Sequence, residues 1–219
     1  KEPDMRNLVL NTFLTLIGTV AALTLSSCQQ TEQTAAQNET VVFQLTPSTA
    51  GVGEFLRQFK GYETTYDQDI CYNITPKDIT DRYDFCIFKY DTSCGSFLSY
   101  DKEVYPLGIW FGGYGVTSFA VSDLNQDGYF ELFFTYSWGS GAHRSLVGYF
   151  DSATKETVLP DFIYWGNDMV LNTDSNGVLG IYHADCDIES FVDIEMEAKD
   201  RLASIVWESQ EISVVEETE

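Results

Sequence analysis

Residues 123–131, DLNQDGYFE, alternate oxygen-bearing side chains with other residues at a spacing that suits a bound cation. Calcium prefers several oxygen ligands at about 2.3–2.6 Å. Side chains on alternate residues converge on one point only where the backbone coils tightly, and Gly128 permits such a coil because it lacks a Cβ. We therefore predict a structural calcium site with these ligands: the side chains of Asp123, Asn125, Asp127 and Glu131 and the backbone carbonyl of Tyr129.

The first half of this loop matches an EF-hand, but the second half does not. An EF-hand has a bidentate glutamate at loop position twelve, where this chain has Phe134. The flanking segments FAVS and LFFTYS are typical of strands rather than helices, so the sequence predicts a strand–loop–strand site closed by Glu131. A hairpin turn rich in Asp, Asn and Gly that binds no ion is the alternative. Three carboxylates within nine residues repel one another in that case, which favours calcium.

The motif WFGGYG at 110–115 precedes this loop, and a glycine-rich turn follows it. Together these features make residues 104–150 resemble one blade-like unit of the FG-GAP and VCBS-type repeats of integrin-like propellers and bacterial surface proteins. In that family the carboxylate and amide side chains of the loop hold calcium, so the resemblance implies this role for Asp123, Asn125, Asp127 and Glu131. The chain departs from the family pattern in having Glu at the ninth position and in having one full motif.

Two other segments contain residue types found in active sites and metal sites. The first segment, at 137–145, offers a nucleophile, a base and an anion-binding residue: Ser140, Ser145, His143 and Arg144. It has no nucleophile elbow, and a glycine-rich hairpin explains it better. The second segment, at 183–189, offers zinc ligands: His183, Asp185, Cys186 and Asp187. A strand end with a structural cysteine explains that group equally well.

The N-terminal segment has the composition of an export signal. After Met5 and a basic residue, an apolar stretch covers residues 8–25 and leads into LSSC at 25–28. LSSC resembles the lipobox of bacterial lipoproteins, which implies that Cys28 is acylated and becomes the first mature residue. Acyl chains that contribute about 0.8 kcal/mol per buried methylene anchor such a protein stably. A transmembrane helix is the alternative, and Gln29 favours the outer membrane as the destination.

The charge of the chain excludes some partners. Its formal net charge is −22, from 34 Asp and Glu against 12 Lys and Arg, so nucleic-acid binding is not expected. Export permits disulfides, and the four cysteines after Cys28 allow three pairings. The short spacing favours Cys86 with Cys94, which leaves Cys71 with Cys186. Free buried thiols are the alternative.

The remaining chain is rich in aromatic and β-branched residues separated by Gly, Asp and Asn, a pattern typical of strands. Short helices are predicted around Phe55, Leu56 and Phe59, and after Thr75 as a cap with Pro76 in the first turn. We expect a mainly β fold, an antiparallel sheet domain of partial propeller or sandwich form with one or two short helices. The predicted segments are a signal peptide at 1–27, a tether at 28–40, one β-rich domain at 41–213 and an acidic tail at 214–219.

These features predict a lipid-anchored protein of the bacterial outer membrane that faces the periplasm or the exterior. We expect a calcium-stabilised β domain that is a non-catalytic binding or surface-interaction module, with a protein or a glycan as ligand. A calcium-dependent hydrolase acting on glycan or peptide is the alternative, and an envelope-assembly factor is a third hypothesis.

Overall fold

The computed structural model describes residues 39–59, 62, 64–108 and 112–217. Fourteen strands and two short helices make up this part of the chain. In chain order they are β1 (Val41–Phe43), α1 (Val52–Gln58), β2 (Cys71–Asn73), α2 (Lys77–Tyr83), β3 (Phe85–Tyr90), β4 (Ser96–Tyr100), β5 (Glu103–Gly108), β6 (Gly115–Ser122), β7 (Glu131–Trp138), β8 (Arg144–Asp151), β9 (Glu156–Val158), β10 (Ile163–Trp165), β11 (Asp168–Thr173), β12 (Leu179–Ser190), β13 (Asp193–Glu208) and β14 (Glu211–Glu216).

The strands form three antiparallel sheets, which confirms the predicted mainly β fold with two short helices. The central sheet has the order β1-β6-β7-β8-β10, and β9 also pairs with β8. The N-terminal sheet has the order β2-β3-β4-β5, and the C-terminal sheet has the order β11-β12-β13-β14. The blade-like segment 104–150 therefore divides between sheets, since β5 pairs with β4 whereas β6, β7 and β8 pair with one another.

The three sheets stack in layers, with the central sheet in the middle. Phe119 and Phe134 belong to a hydrophobic cluster shared with Ile87 and other residues of the N-terminal sheet. The next residues along the same strands, Ala120 and Phe133, belong to a second cluster shared with the C-terminal sheet. Because side chains alternate across a strand, both faces of β6 and β7 are buried.

Three polar residues inside this doubly covered sheet bond to one another, whereas the buried Ser137 hydroxyl of β7 has no hydrogen-bond partner among the described residues. The hydroxyl groups of Thr117 and Ser118 lie 2.9 and 2.6 Å from the Thr135 hydroxyl on the neighbouring strand. The Leu171 N–H of the C-terminal sheet donates to Ser118 Oγ at 2.9 Å. These bonds satisfy groups that burial separates from water, and one of them joins two sheets.

Local structure differs from the sequence predictions at three places. The Thr75 side chain does not cap α2, because its hydroxyl accepts the Ile87 N–H at 2.6 Å and Pro76 holds the cap position. The run SFVDIEMEA at 190–198 predicts one strand, but the chain turns at Phe191 and β13 starts at Asp193. Strand β14 continues through Glu216, beyond the predicted boundary at 213, because it pairs with β13.

The four cysteines in the described residues have free thiols, so neither predicted disulfide is formed. Cys71 lies in a cluster that packs under α1, whereas Cys186 lies in a separate cluster of the C-terminal sheet. Cys94 Sγ is 3.7 Å from the Gly113 carbonyl oxygen, and Cys86 Sγ is 3.7 Å from Thr80 Oγ1. The thiols of Cys86 and Cys94 thus contact a hydroxyl and a carbonyl oxygen rather than a second cysteine.

Lys89 on β3 is fully buried between the N-terminal and central sheets. Its ammonium group donates to two backbone carbonyls, those of Tyr114 at 2.5 Å and Val116 at 2.8 Å. Burial disfavours the charged form and lowers the pKa of Lys89 to about 8, from the ordinary value of 10.5. The side chain ties β3 to β6, at an electrostatic cost while it remains charged.

This cost predicts a pH-dependent stability. Between pH 8 and pH 10.5 the unfolded chain holds a proton on Lys89 that the folded chain has released, so the free energy of unfolding rises with pH in this window. We expect the free energy of unfolding of the wild type, minus that of Lys89→Met, to rise by about 2–3 kcal/mol from pH 8 to pH 10. Urea denaturation of both proteins measures it, and subtraction removes the titration of shared tyrosines and thiols. A pH-independent difference contradicts the prediction.

Candidate metal centre

The two central strands of the molecule position the loop predicted to bind calcium. Strand β6 ends at Ser122 and β7 begins at Glu131, and these two residues are cross-strand partners. The loop between them contains the left-handed residues Gln126 and Gly128, with φ of +60° and +89°. The structure therefore has the predicted strand–loop–strand order, with the loop at the point where the buried strands leave the core.

Three carboxylates converge within this loop. One oxygen each of Asp123, Asp127 and Glu131 lies within 4.8 Å of the others. Two oxygens that bind the same calcium ion at 2.3–2.6 Å are at most about 5 Å apart, so this spacing is compatible with a shared ion. Asp123 and Glu131 are 8% and 1% exposed, whereas Asp127 faces solvent. The group thus has a buried side formed by the strand ends and an open side toward water.

Backbone amides hold each carboxylate in place. The N–H groups of Asp127 and Gly128 donate to the two Asp123 oxygens at 3.0 and 3.1 Å. The Leu124 N–H donates to Glu131 Oε2 at 2.8 Å, and the Tyr129 N–H donates to Asp127 Oδ1 at 2.8 Å. These bonds fix the loop conformation from within, and they are also those of a metal-free turn. The loop backbone therefore orients the carboxylates.

The electrostatics of the loop favour a cation. The pKa of Glu131 is raised to about 7, chiefly by burial, and the neighbouring charges of Asp123, Asp127 and Asp151 contribute in the same direction, while the hydrogen bond from Leu124 acts in the opposite direction. A buried carboxylate surrounded by other carboxylates is destabilised in its ionised form. A divalent ion among these oxygens reverses that penalty.

The remaining predicted ligands have other contacts. Asn125 Oδ1 accepts the Asp127 N–H at 2.9 Å, and Asn125 Nδ2 donates to Asp127 Oδ2 at 3.2 Å. The Tyr129 side chain is 55% exposed. Sequence reasoning missed Asp151, which pairs with Glu131 across β7 and β8. It also missed Ser152, whose hydroxyl accepts the Phe130 N–H at 2.9 Å. Both follow from the β7–β8 register, which the sequence does not specify.

The predicted nucleophile and base are not in contact. Ser145 Oγ donates to the Asn167 carbonyl at 3.0 Å, and Ser140 is exposed. His143 Nδ1 lies 3.7 Å from a carboxylate that the sequence did not point to, Asp168. Asp168 therefore lies between the histidine and the serine, an arrangement that does not activate a hydroxyl nucleophile.

The predicted zinc ligands also do not form a centre. Among the described residues, one group of His, Cys, Asp and Glu side chains is spaced closely enough to share a metal ion. It consists of the loop carboxylates and includes none of the predicted zinc ligands. Asp185 pairs with Lys199 at 3.2 Å. Burial and the nearby Asp168 raise the pKa of Cys186 to about 12, and its thiol donates to Met196 Sδ at 3.1 Å.

Comparison with protein-family models, with curated proteins and with solved structures finds no match to this chain. The predicted signal peptide, Cys28 and most of the predicted tether lie outside the described residues. In the part of the chain that the structure describes, no helix is long and apolar enough to span a membrane.

Gly128 provides a test of the loop backbone. Its φ is +89° and no atom lies within 4 Å of an added Cβ, so Gly128→Ala introduces backbone strain without a steric clash. We expect this change to lower the free energy of unfolding by about 1–2 kcal/mol. The matched control is Gly53→Ala in α1, where a Cβ also meets nothing within 4 Å and alanine stabilises a helix by up to about 1 kcal/mol. Chemical denaturation measures both variants, and equal effects contradict the prediction.

Proposed function

We propose that this chain is a bacterial lipoprotein whose β domain is stabilised by calcium and serves as a non-catalytic binding or surface-interaction module. Acylated Cys28 anchors it in the outer membrane, and the domain faces the periplasm or the exterior. The anchor is supported by the apolar stretch and LSSC at 25–28. The calcium part is supported by one observation above the others, the convergence of Asp123, Asp127 and Glu131 to within 4.8 Å.

The proposed ion would act as a staple between the two central strands. Asp123 follows the last residue of β6, and Glu131 is the first residue of β7. An ion shared by both carboxylates links the strands at the end where backbone pairing stops. It also offsets the burial and the carboxylate repulsion that together raise the pKa of Glu131 to about 7. Extracellular calcium modules bind at about 10⁻⁴–10⁻³ M, which suits an ion with a structural role.

The hydrolase alternative has weaker support. Ser145 donates its hydroxyl hydrogen to a backbone carbonyl rather than to His143, and His143 faces Asp168. The three loop carboxylates have hydrogen bonds from the loop backbone that suit holding an ion. A binding role requires none of the activated groups that hydrolysis needs, and it is the function that the geometry supports best.

The calcium proposal predicts a calcium-dependent melting temperature. At a free calcium concentration about one hundred times Kd, one site adds about 2.7 kcal/mol. For a domain of this size the melting temperature then rises by about 5–10 °C over that in chelator. Differential scanning calorimetry in calcium and in chelator measures the change, and magnesium at the same concentration tests selectivity.

Variants separate a specific site from general charge screening. Glu131→Gln removes a ligand charge, and we expect it to abolish the calcium-dependent rise. Glu208→Gln removes one charge from an exposed position of β13, and we expect it to retain the rise. Identical melting curves in calcium and in chelator for the wild type contradict the calcium proposal, as does an unchanged response in Glu131→Gln.

The anchor proposal predicts that membrane attachment depends on one cysteine. In a bacterial host given labelled palmitate, we expect the full chain to incorporate label and to sediment with membranes. Cys28→Ser removes the thioether site, and the protein should lose both the label and the sedimentation. Cys71→Ser is the matched control, since Cys71 is a buried thiol of the folded domain. Label retained by Cys28→Ser contradicts the proposal.

A further inference from the structure

Three side chains stack in a row across the open end of the central sheet. Arg144 on β8 has two cross-strand partners, Trp138 on β7 and Trp165 on β10. Its guanidinium carbon lies 4.8 Å from the centre of the Trp138 ring and 4.1 Å from the centre of the Trp165 ring. The Arg144 guanidinium is thus held by cation–π contact with both indoles.

Arg144 differs from the other arginines that the structure describes. Arg57, Arg82 and Arg201 each lie within 4.0 Å of a carboxylate. In the described residues, no carboxylate lies within that distance of Arg144, although the chain has a net charge of −22. Among the described residues the Arg144 side chain has no hydrogen-bond partner, and its nitrogen atoms are not among the buried atoms that lack one, so they reach solvent. The stack therefore presents an oriented, unneutralised cation to water.

The outer member of the row adds an apolar surface. Trp165 is 63% exposed, the highest value among the large hydrophobic side chains that the structure describes as exposed. One face of its ring contacts Arg144. Because water hydrates an indole face poorly, that exposure is unfavourable without a ligand. Flat C–H faces of sugar rings are suitable partners for such a surface.

We propose that the row formed by Trp138, Arg144 and Trp165 binds an acidic glycan, an oligosaccharide whose rings carry carboxylates. One sugar ring packs on the exposed face of Trp165. The carboxylate of a neighbouring ring accepts two N–H groups from Arg144, the bidentate geometry that a fixed guanidinium suits best. An inorganic anion uses Arg144 alone, and a neutral sugar uses Trp165 alone. Only a ligand with both groups matches the combination.

This proposal deepens the binding role proposed above and depends on it, but not on the calcium loop. Glu131 and Trp138 are the two ends of β7, which places the loop and the row about 23 Å apart at 3.3 Å per residue. At physiological ionic strength, charges are screened over about 8 Å. The loop carboxylates therefore do not repel a ligand at the row, and the two sites can be tested separately.

Calorimetric titration of the wild type with trigalacturonate and with its methyl ester tests the proposal. The ester keeps the rings and removes the charges, and we expect it to bind about tenfold more weakly. Arg144→Gln should weaken trigalacturonate binding about tenfold and leave ester binding unchanged. Trp165→Ala should weaken binding of both ligands about fivefold or more. Arg144→Lys keeps the charge without the planar fork and should fall between wild type and Arg144→Gln.

The matched control is Trp207→Ala on β13, because Trp207 is 41% exposed in a different sheet, and we expect it to bind as the wild type does. The proposal is overturned if the wild type binds trigalacturonate and its methyl ester equally tightly, or if Arg144→Gln binds trigalacturonate as tightly as the wild type does. It is also overturned if inorganic phosphate binds as tightly as trigalacturonate, or if no heat is measured at about 10 mM ligand. The calcium response of the same samples shows which proposal fails. If trigalacturonate does not bind but calcium still raises the melting temperature, only the glycan proposal is overturned. If trigalacturonate binds but calcium does not raise the melting temperature, only the calcium proposal is overturned.

Discussion

The burial of β6 and β7 on both faces is the constraint on which the rest of the structure depends. A strand covered on one side can alternate apolar and polar residues, but these strands are buried at nearly every position. Phe119 and Phe134 require one covering sheet, and Ala120 and Phe133 require another. The N-terminal and C-terminal sheets supply these covers. Buried polar groups in the two strands are tolerated because Thr117, Ser118 and Thr135 bond to one another.

This constraint explains where charge can be placed. A one-residue slip between β6 and β7 would move the side chains of one strand to the opposite faces of the sheet, and both faces are packed against another sheet. The register of this hairpin is therefore strongly specified. The loop that joins the strands is the first position at which carboxylates reach water. An ion there would fix the strands at that end. At the other end of β7, Arg144 lies between Trp138, which packs against the core, and Trp165, which is 63% exposed.

Much of the fold could be predicted from the sequence, because aromatic and β-branched runs between Gly, Asp and Asn predict strands and the position of Phe134 excludes an EF-hand. The arrangement of strands into three layers could not be predicted, since a run such as ELFFTYSW predicts a buried strand without specifying its two covers. The spacing of Asp123, Asp127 and Glu131 predicted a group that the structure brings together. Asp151 was missed because its position depends on cross-strand register, and Asp168 because its contact with His143 joins segments of two different sheets. Disulfides were predicted from spacing, but packing separates Cys71 from Cys186.

We propose that a calcium ion links the ends of the two central strands. Equilibrium dialysis of the purified domain against radioactive calcium at about 0.15 M salt, where exposed carboxylates are screened, measures it most directly. We expect one saturable ion per chain with a Kd of about 10⁻⁴–10⁻³ M, and loss of that ion in Glu131→Gln. Binding that does not saturate and is unchanged in Glu131→Gln would contradict it, and the loop would then be a turn held by its own hydrogen bonds.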